Sequence, residues 1–220
     1  MRLLASTLAL LSLIAGTAPV GAQESTPDKL VRGDVTGSVG WLHVNKSELD
    51  AYNDWFSRAF FGSVGVGIYW SAHVKTELQV GANDTFSVYA PLRFESPGQV
   101  FNSSSDYEFS ARRLSLTGQY QFGRNQWFHP FLGGGVEVVA ERMSRRDAPV
   151  YSFDQITRQS RIVREAIDQP ERTDVRAMAL VTMGFKAYVH PRAFFLTDGR
   201  VSFDNRVDEV LVRFGFGVDF

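Results

Sequence analysis

From Asp208 to Phe220 the residues alternate between two kinds. Val210, Val212, Phe214, Phe216, Val218 and Phe220 fall on one face, while Arg213, Gly215, Gly217 and Asp219 fall on the other. A period of two is that of a β-strand, whose successive side chains point to opposite sides. The same pattern predicts a first strand from about Asp34 to Val44, with Val35, Val39 and Trp41 opposite Thr36, Ser38 and Gly40. A second strand carries Phe60, Val64, Val66, Ile68 and Trp70, and a third sets Val74, Leu78, Val80 and Ala82 against Lys75, Glu77 and Gln79. In a fourth, Leu114, Leu116, Tyr120 and Phe122 oppose Arg113, Ser115, Thr117, Gln119 and Gln121. A fifth sets Phe128, Leu132, Val136 and Val138 against Glu137, and a sixth, running from Val175 to Val189, faces Arg176 and Lys186 the other way. The seventh, Ala193 to Phe203, opposes Phe195, Val201 and Phe203 to Asp198 and Arg200, and the segment ending at Phe220 is the eighth.

The connections sort by length. Ser71-Ala72, Gly123 to Gln126 and His190 to Arg192 are short, whereas residues 45–57, 86–110 and 144–173 are long; only Asp204 to Val207 departs from this order. Short turns at one rim and long loops at the other are the arrangement of an up-and-down barrel crossing an outer membrane, with its short turns periplasmic. Aromatic residues gather at two levels. Trp70, Phe122, Trp127, Phe128, Tyr188, Phe194, Phe195 and Phe220 lie by the short turns, and Trp41, Phe60, Phe61 and Phe203 lie nearer the long loops. Two such belts around an apolar band are expected where rings sit at headgroup level.

The chain begins with Arg2, an apolar run from Leu3 to Ala15, and then Val20-Gly21-Ala22. A run this short does not span a bilayer as a helix, and Val20 and Ala22 fit small-residue cleavage, so residues 1–22 read as a signal peptide. The expected organisation is that signal, a periplasmic N-terminal segment over 23–33, and a transmembrane barrel over 34–220. The absence of cysteine rules out disulfide staples and a lipid-anchoring thiol. With 23 basic and 24 acidic residues there is no charge bias toward nucleic acid. A soluble ligand-binding barrel would need the apolar faces turned inward, which leaves the loop sorting and the aromatic belts unexplained.

The sequence resembles the eight-stranded outer-membrane β-barrels of the outer membrane protein A and W types. The residues carrying the resemblance are Val210 to Phe220, similar to that family's terminal assembly signal, and His129-Pro130-Phe131-Leu132-Gly133-Gly134-Gly135-Val136, similar to its fifth strand. The resemblance implies an all-β, eight-stranded antiparallel up-and-down transmembrane β-barrel in the outer membrane of a Gram-negative cell. It also implies a monomer with contacts to outer-membrane lipid and lipopolysaccharide, and recognition of Phe216, Val218 and Phe220 by the barrel assembly machinery. Family members serve as structural anchors, adhesins or porin-like conduits. The chain stops at Phe220, so no cell-wall-binding domain is expected after the barrel.

Two inward constellations are candidates for function. Lys75, Glu77, Arg113, Glu137, Arg176, Lys186, Asp198, Arg200, Arg213 and Asp219 carry both signs of charge, and an eight-stranded barrel is just wide enough for side chains to fill. The expectation is an ion-pair network that plugs the lumen, giving a structural or surface-interaction protein. Leu42, Phe61, Met178, Leu180 and Leu211 form an apolar inward patch near the long-loop rim; the alternative function is therefore a passive conduit or binding barrel for a small hydrophobic molecule. The loop 144–173 carries Arg145, Arg146, Arg158, Arg161, Arg164 and Arg172, suited to phosphate oxygens, with a short helix expected around Phe153 to Asp168. His43, His73, His129 and His190 have neither metal-ligand spacing nor a carboxylate partner in sequence, so no enzyme, metal or cofactor is expected.

Overall fold

A computed structural model of the chain describes residues 33–46, 57–96, 99–122, 127–154 and 156–220. The expected signal peptide, most of the first long loop and the turn at 123–126 lie outside the described residues. Every regular element among the described residues is a strand: β1 (Gly33–Val44), β2 (Ser57–Tyr69), β3 (Val74–Ser96), β4 (Gln99–Gln121), β5 (Phe128–Asp147), β6 (Val150–Asp154), β7 (Ser160–Arg164), β8 (Ile167–His190), β9 (Ala193–Phe203) and β10 (Val207–Asp219). Eight of these form a closed antiparallel ring, β1-β2-β3-β4-β5-β8-β9-β10, and β10 returns to pair with β1 from Asp34↔Asp219 to Val44↔Glu209. Phe220 and Gly33 exchange backbone hydrogen bonds of 2.9 and 3.2 Å at the end of this seam. Closure is what hydrocarbon requires, because a free edge would expose amides and carbonyls where no water can pair them.

Alternation sorts the side chains as the period of two demands. Val35, Val39, Val64, Val66, Leu78, Val80, Leu116, Val136, Phe214 and Phe216 point outward, while Thr36, Ser38, Lys75, Glu77, Arg113, Thr117 and Arg213 are buried in the lumen. The polar core and apolar exterior invert a soluble barrel, as a lipid solvent dictates.

Two stretches expected as long loops are strand. β3 and β4 remain paired beyond the barrel as far as Ser96↔Gln99, and β5 and β8 remain paired to Asp147↔Ile167. The cause of the missed strand lies at Asn83/Phe86, where the β3–β4 register shifts. Below that bulge the buried residues are odd-numbered, ending at Asn83; above it Phe86 and Val88 are buried, so the period of two loses its phase. The helix expected around Phe153 to Asp168 is instead the β6–β7 hairpin. The chain leaves β5 at Asp147, and the Ala148 amide donates to the Ser104 carbonyl at 2.8 Å. It then continues beside β4 as β6, paired from Asn102↔Tyr151 to Gln99↔Asp154, and folds back as β7. The isolated hydrophobic spacing of Ile156, Val163 and Ile167 could not outweigh backbone pairing with an edge already in place.

Lumen glycines set how closely the strands wind. A Cβ added to Gly135 would meet the Leu116 carbonyl oxygen and lie 2.8 Å from the Thr117 Cα, whereas one added to outward-facing Gly37 would find nothing within 4 Å. Gly135→Val is expected to destabilise the barrel by about 1–3 kcal/mol through overpacking against backbone, and Gly37→Val to change stability by no more than roughly 0.5 kcal/mol. Urea titrations of the refolded variants in detergent micelles would measure both.

Candidate functional site

The lumen-facing charges balance in sign and pair within successive tiers of the barrel. All ten residues expected to point inward do so, joined by two that the sequence reading passed over, Asp34 and Glu209, at 0% and 1% exposure. The cations Lys75, Arg113, Arg176, Lys186, Arg200 and Arg213 then equal in number the anions Asp34, Glu77, Glu137, Asp198, Glu209 and Asp219. Only Arg176, with 34% of its side chain exposed, reaches toward the open rim.

At the short-turn end, the Asp34 carboxylate sits between the Lys75 ammonium at 2.8 Å and the Lys186 ammonium at 2.5 Å. Lys186 also donates to the Tyr69 hydroxyl at 2.5 Å, which donates in turn to Asp34 at 3.0 Å. Lys75 reaches Glu77 at 2.6 Å, and the Tyr188 hydroxyl donates to Asp219 at 2.7 Å. Mid-barrel, Arg213 lies directly across from Asp198 in the β9–β10 register and donates to it through Nε at 2.9 Å and Nη2 at 2.8 Å. Thr182 completes that carboxylate's shell at 2.9 Å. Arg200 donates to Gln79 at 2.8 Å, Ser115 at 3.2 Å and Glu137 at 3.3 Å. Toward the outer rim, Arg113 joins Glu137, at 3.2 Å, to Glu209, with which it also makes a second contact of 3.1 Å; Arg176 donates to the same Glu209 at 2.9 Å. Glu137 thus links the middle and upper tiers. Most of these charges have two or more partners, which is what makes burial of so many ions tolerable; among the described residues Arg213 relies on Asp198 alone, and Asp219 meets only the Tyr188 hydroxyl.

The five apolar inward residues do not form one group. Leu42, Phe61 and Leu211 pack with Val44, Ala59, Phe86, Val88 and Phe109, the last three supplied by the continuation of β3 and β4; the Phe86 and Phe109 rings stack at 5.4 Å. Met178 packs separately with Ala111 and Val139, and Leu180 is buried outside both clusters. Three residues assigned to the aromatic belts also belong inside: Phe61, in the rim cluster at 1% exposure, and Phe194 and Tyr188 at the other end. Phe194, at 0% exposure, shares the face of Leu196, Asp198 and Arg200, and packs with Phe131 and Leu196, with Tyr188 against them. Gly217 makes the room, since a Cβ there would strike the Phe194 ring, and the Lys186 ammonium lies 4.1 Å from that ring's centroid. The terminal Phe216, Val218 and Phe220 face outward.

Beyond the rim, β4, β6 and β7 continue the sheet outward. The β6–β7 turn is built on Asp154, whose Oδ1 accepts from the Ile156 amide at 2.8 Å and the Thr157 amide at 3.1 Å. Those two amides, Thr157 first, hold the Asp154 carboxyl below its ordinary range. Arg158 takes a left-handed φ of 56° to close the turn, and its amide donates to the Asp154 carbonyl at 2.8 Å.

Comparison with known proteins places this architecture. The N-terminal β-barrel domain of OprF from Pseudomonas aeruginosa is 12% identical, with a TM-score of 0.50 over 86% of this chain and 98% of that one. Neisserial surface protein A is 11% identical, with a TM-score of 0.53 over 86% of this chain and 97% of that one. At such identities the likeness is one of fold. No curated protein matches in sequence. Residues 8–195 match the family model described as outer membrane protein beta-barrel domain. The chain belongs to that family, and its barrel is an outer-membrane barrel of a bacterium.

Proposed function

We propose that this protein is a non-conducting barrel that holds a structured β-sheet at the cell surface, with a structural or surface-interaction role and no catalytic one. The observation carrying this reading is the balanced lumen network, in which charges from opposite walls meet across the barrel's width. Arg113 on β4 reaches Glu209 on β10, and Lys186 on β8 reaches Asp34 on β1. An ion crossing would have to displace these pairs at a cost of several kcal/mol each. The apolar side chains near the rim pack on one another and on Phe86 and Phe109, which favours a filled rim over a vestibule for a hydrophobic ligand. The outward Phe216, Val218 and Phe220 are assigned to recognition by the barrel assembly machinery, through strand addition at the open edge of β10 before closure. The outer wall contacts membrane lipid and lipopolysaccharide as a monomer.

Refolded full-length protein inserted in a planar bilayer is expected to give no steady conductance above the lipid background. A reproducible single-channel step would overturn the plugged-lumen reading.

A further inference from the structure

The strand β7 ends the sheet: it pairs with β6 on one side, from Phe153↔Ser160 to Val150↔Arg164, and is the last strand in the sheet order. Every residue of Ser160-Arg161-Ile162-Val163-Arg164 is exposed. A strand edge carries unpaired amides and carbonyls, a template for another strand. Its chemistry is one-sided. From Ile156 to Arg164 there are three arginines, Arg158, Arg161 and Arg164, and no acid. The nearest acids in sequence are Asp154, occupied by the turn amides, and Glu165, with Asp168 lying 3.4 Å from Arg146. Ile162 and Val163 are each half exposed between the arginines, and Ile156 is 87% exposed at the turn. The Asp154 turn fixes this edge in place, so the strand is already extended when a partner meets it.

We propose that the free edge of β7 binds an extended acidic peptide segment of another protein by β-strand addition. The inference rests on the surface-interaction reading above and names its partner chemistry. Main-chain pairing would supply affinity, and the side chains would set preference. In the β6–β7 register Arg161 pairs with Ser152 and Arg164 with Val150, with Val163 bulged between them, so the two arginines share one face and Ser160 and Ile162 the other; an incoming strand meets cations on one face and a β-branched residue on the other. Acidic residues interspersed with valine or threonine match that pattern. A second copy of this chain does not. Antiparallel β7–β7 pairing centred on Ile162 would bring four guanidinium groups together on two short strands, and like charges on neighbouring strands oppose pairing. A sulfated glycan or a lipid phosphate would satisfy the arginines but leave the open ladder and Ile162 and Val163 unused.

The test uses the full chain refolded in lipid nanodiscs and a fluorescein-labelled nine-residue peptide alternating glutamate with valine or threonine. Saturable binding is expected, weakened by about ten-fold or more in Arg161→Ser/Arg164→Ser, with heat-modifiable gel mobility of the variant unchanged. Two peptide analogues, N-methylated at odd or at even amides, separate strand addition from charge attraction. Only the set of amides facing β7 donates to it, so one analogue should lose about ten-fold more than the other. Equal binding by both analogues, no binding of the parent peptide at roughly 1 mM, or saturable binding confined to heparin-like glycan or lipid A vesicles would each overturn the inference. None of these outcomes touches the plugged lumen, which the bilayer recording judges on the same preparation. Surface display is judged separately by antibody access, in intact cells, to an epitope inserted between Thr157 and Arg158.

Discussion

Asp198→Ala is expected to destabilise the folded barrel by about 3–5 kcal/mol, the cost of leaving a buried charge without its partner. Arg213 is 1% exposed and spends two of its donors on the Asp198 carboxylate, which faces it across the β9–β10 pair. Removing the anion also breaks the equality of charge in the lumen and strands the Thr182 hydroxyl, which donates to the same oxygen pair. The loss is therefore electrostatic rather than steric, and a charge-free replacement can test that. Asp198→Leu combined with Arg213→Met and Thr182→Val removes both ions and the orphaned hydroxyl together. Buried ion pairs exchanged for apolar groups of similar volume are commonly neutral or better, so the triple variant should recover to within about 1–2 kcal/mol of the parent. Equilibrium urea unfolding in phospholipid vesicles, followed by tryptophan fluorescence, measures both. A triple variant as unstable as Asp198→Ala would show that shape at this site, not charge, holds β9 to β10.

Much of the barrel was legible because period-two alternation over eight segments is a direct consequence of having lipid on one side and a polar lumen on the other. The same rule held the two anions that were passed over. Asp34 shares the face of Thr36 and Ser38, and Glu209 that of Leu211 and Arg213, but both sit at strand ends, where alternation is easily read as the margin of a loop. Tyr188 and Phe194 misled for a different reason. An aromatic at headgroup height fits a belt, yet the parity of Phe194 with Asp198 and Arg200 puts it inside, and the space for it comes from Gly217, a cross-barrel relation absent from local sequence. Above the rim the signal fails physically. The bulge at Asn83/Phe86 changes the phase of β3, and β7 has no buried face to imprint a pattern. Its pairing with β6 is decided by the Asp154 turn and by an edge that the chain itself extends.

A charge on the outer wall should show where the lipid lies. Val66 faces outward in the middle of β2, between Phe60 and Trp70, and pairs with outward-facing Val35 on one side and Leu78 on the other. Val66→Arg must bring a guanidinium into hydrocarbon or bend it a long way toward a headgroup, and the expected loss is about 2–4 kcal/mol. Ser87, exposed on β3 above the register shift, lies past the outward aliphatic positions Val80 and Ala82, with Tyr89 the next outward residue. Ser87→Arg should therefore cost no more than roughly 1 kcal/mol. Both are substitutions of a small exposed side chain by the same cation, so strand propensity and side-chain size largely cancel, and depth in the membrane remains as the difference. Unfolding both variants by urea from vesicles of short-chain phosphatidylcholine gives the comparison directly. Equal losses at Val66 and Ser87 would mean that the apolar band does not run between the Phe60 and Trp70 levels, and that the outer face of β2 is not a lipid-facing wall.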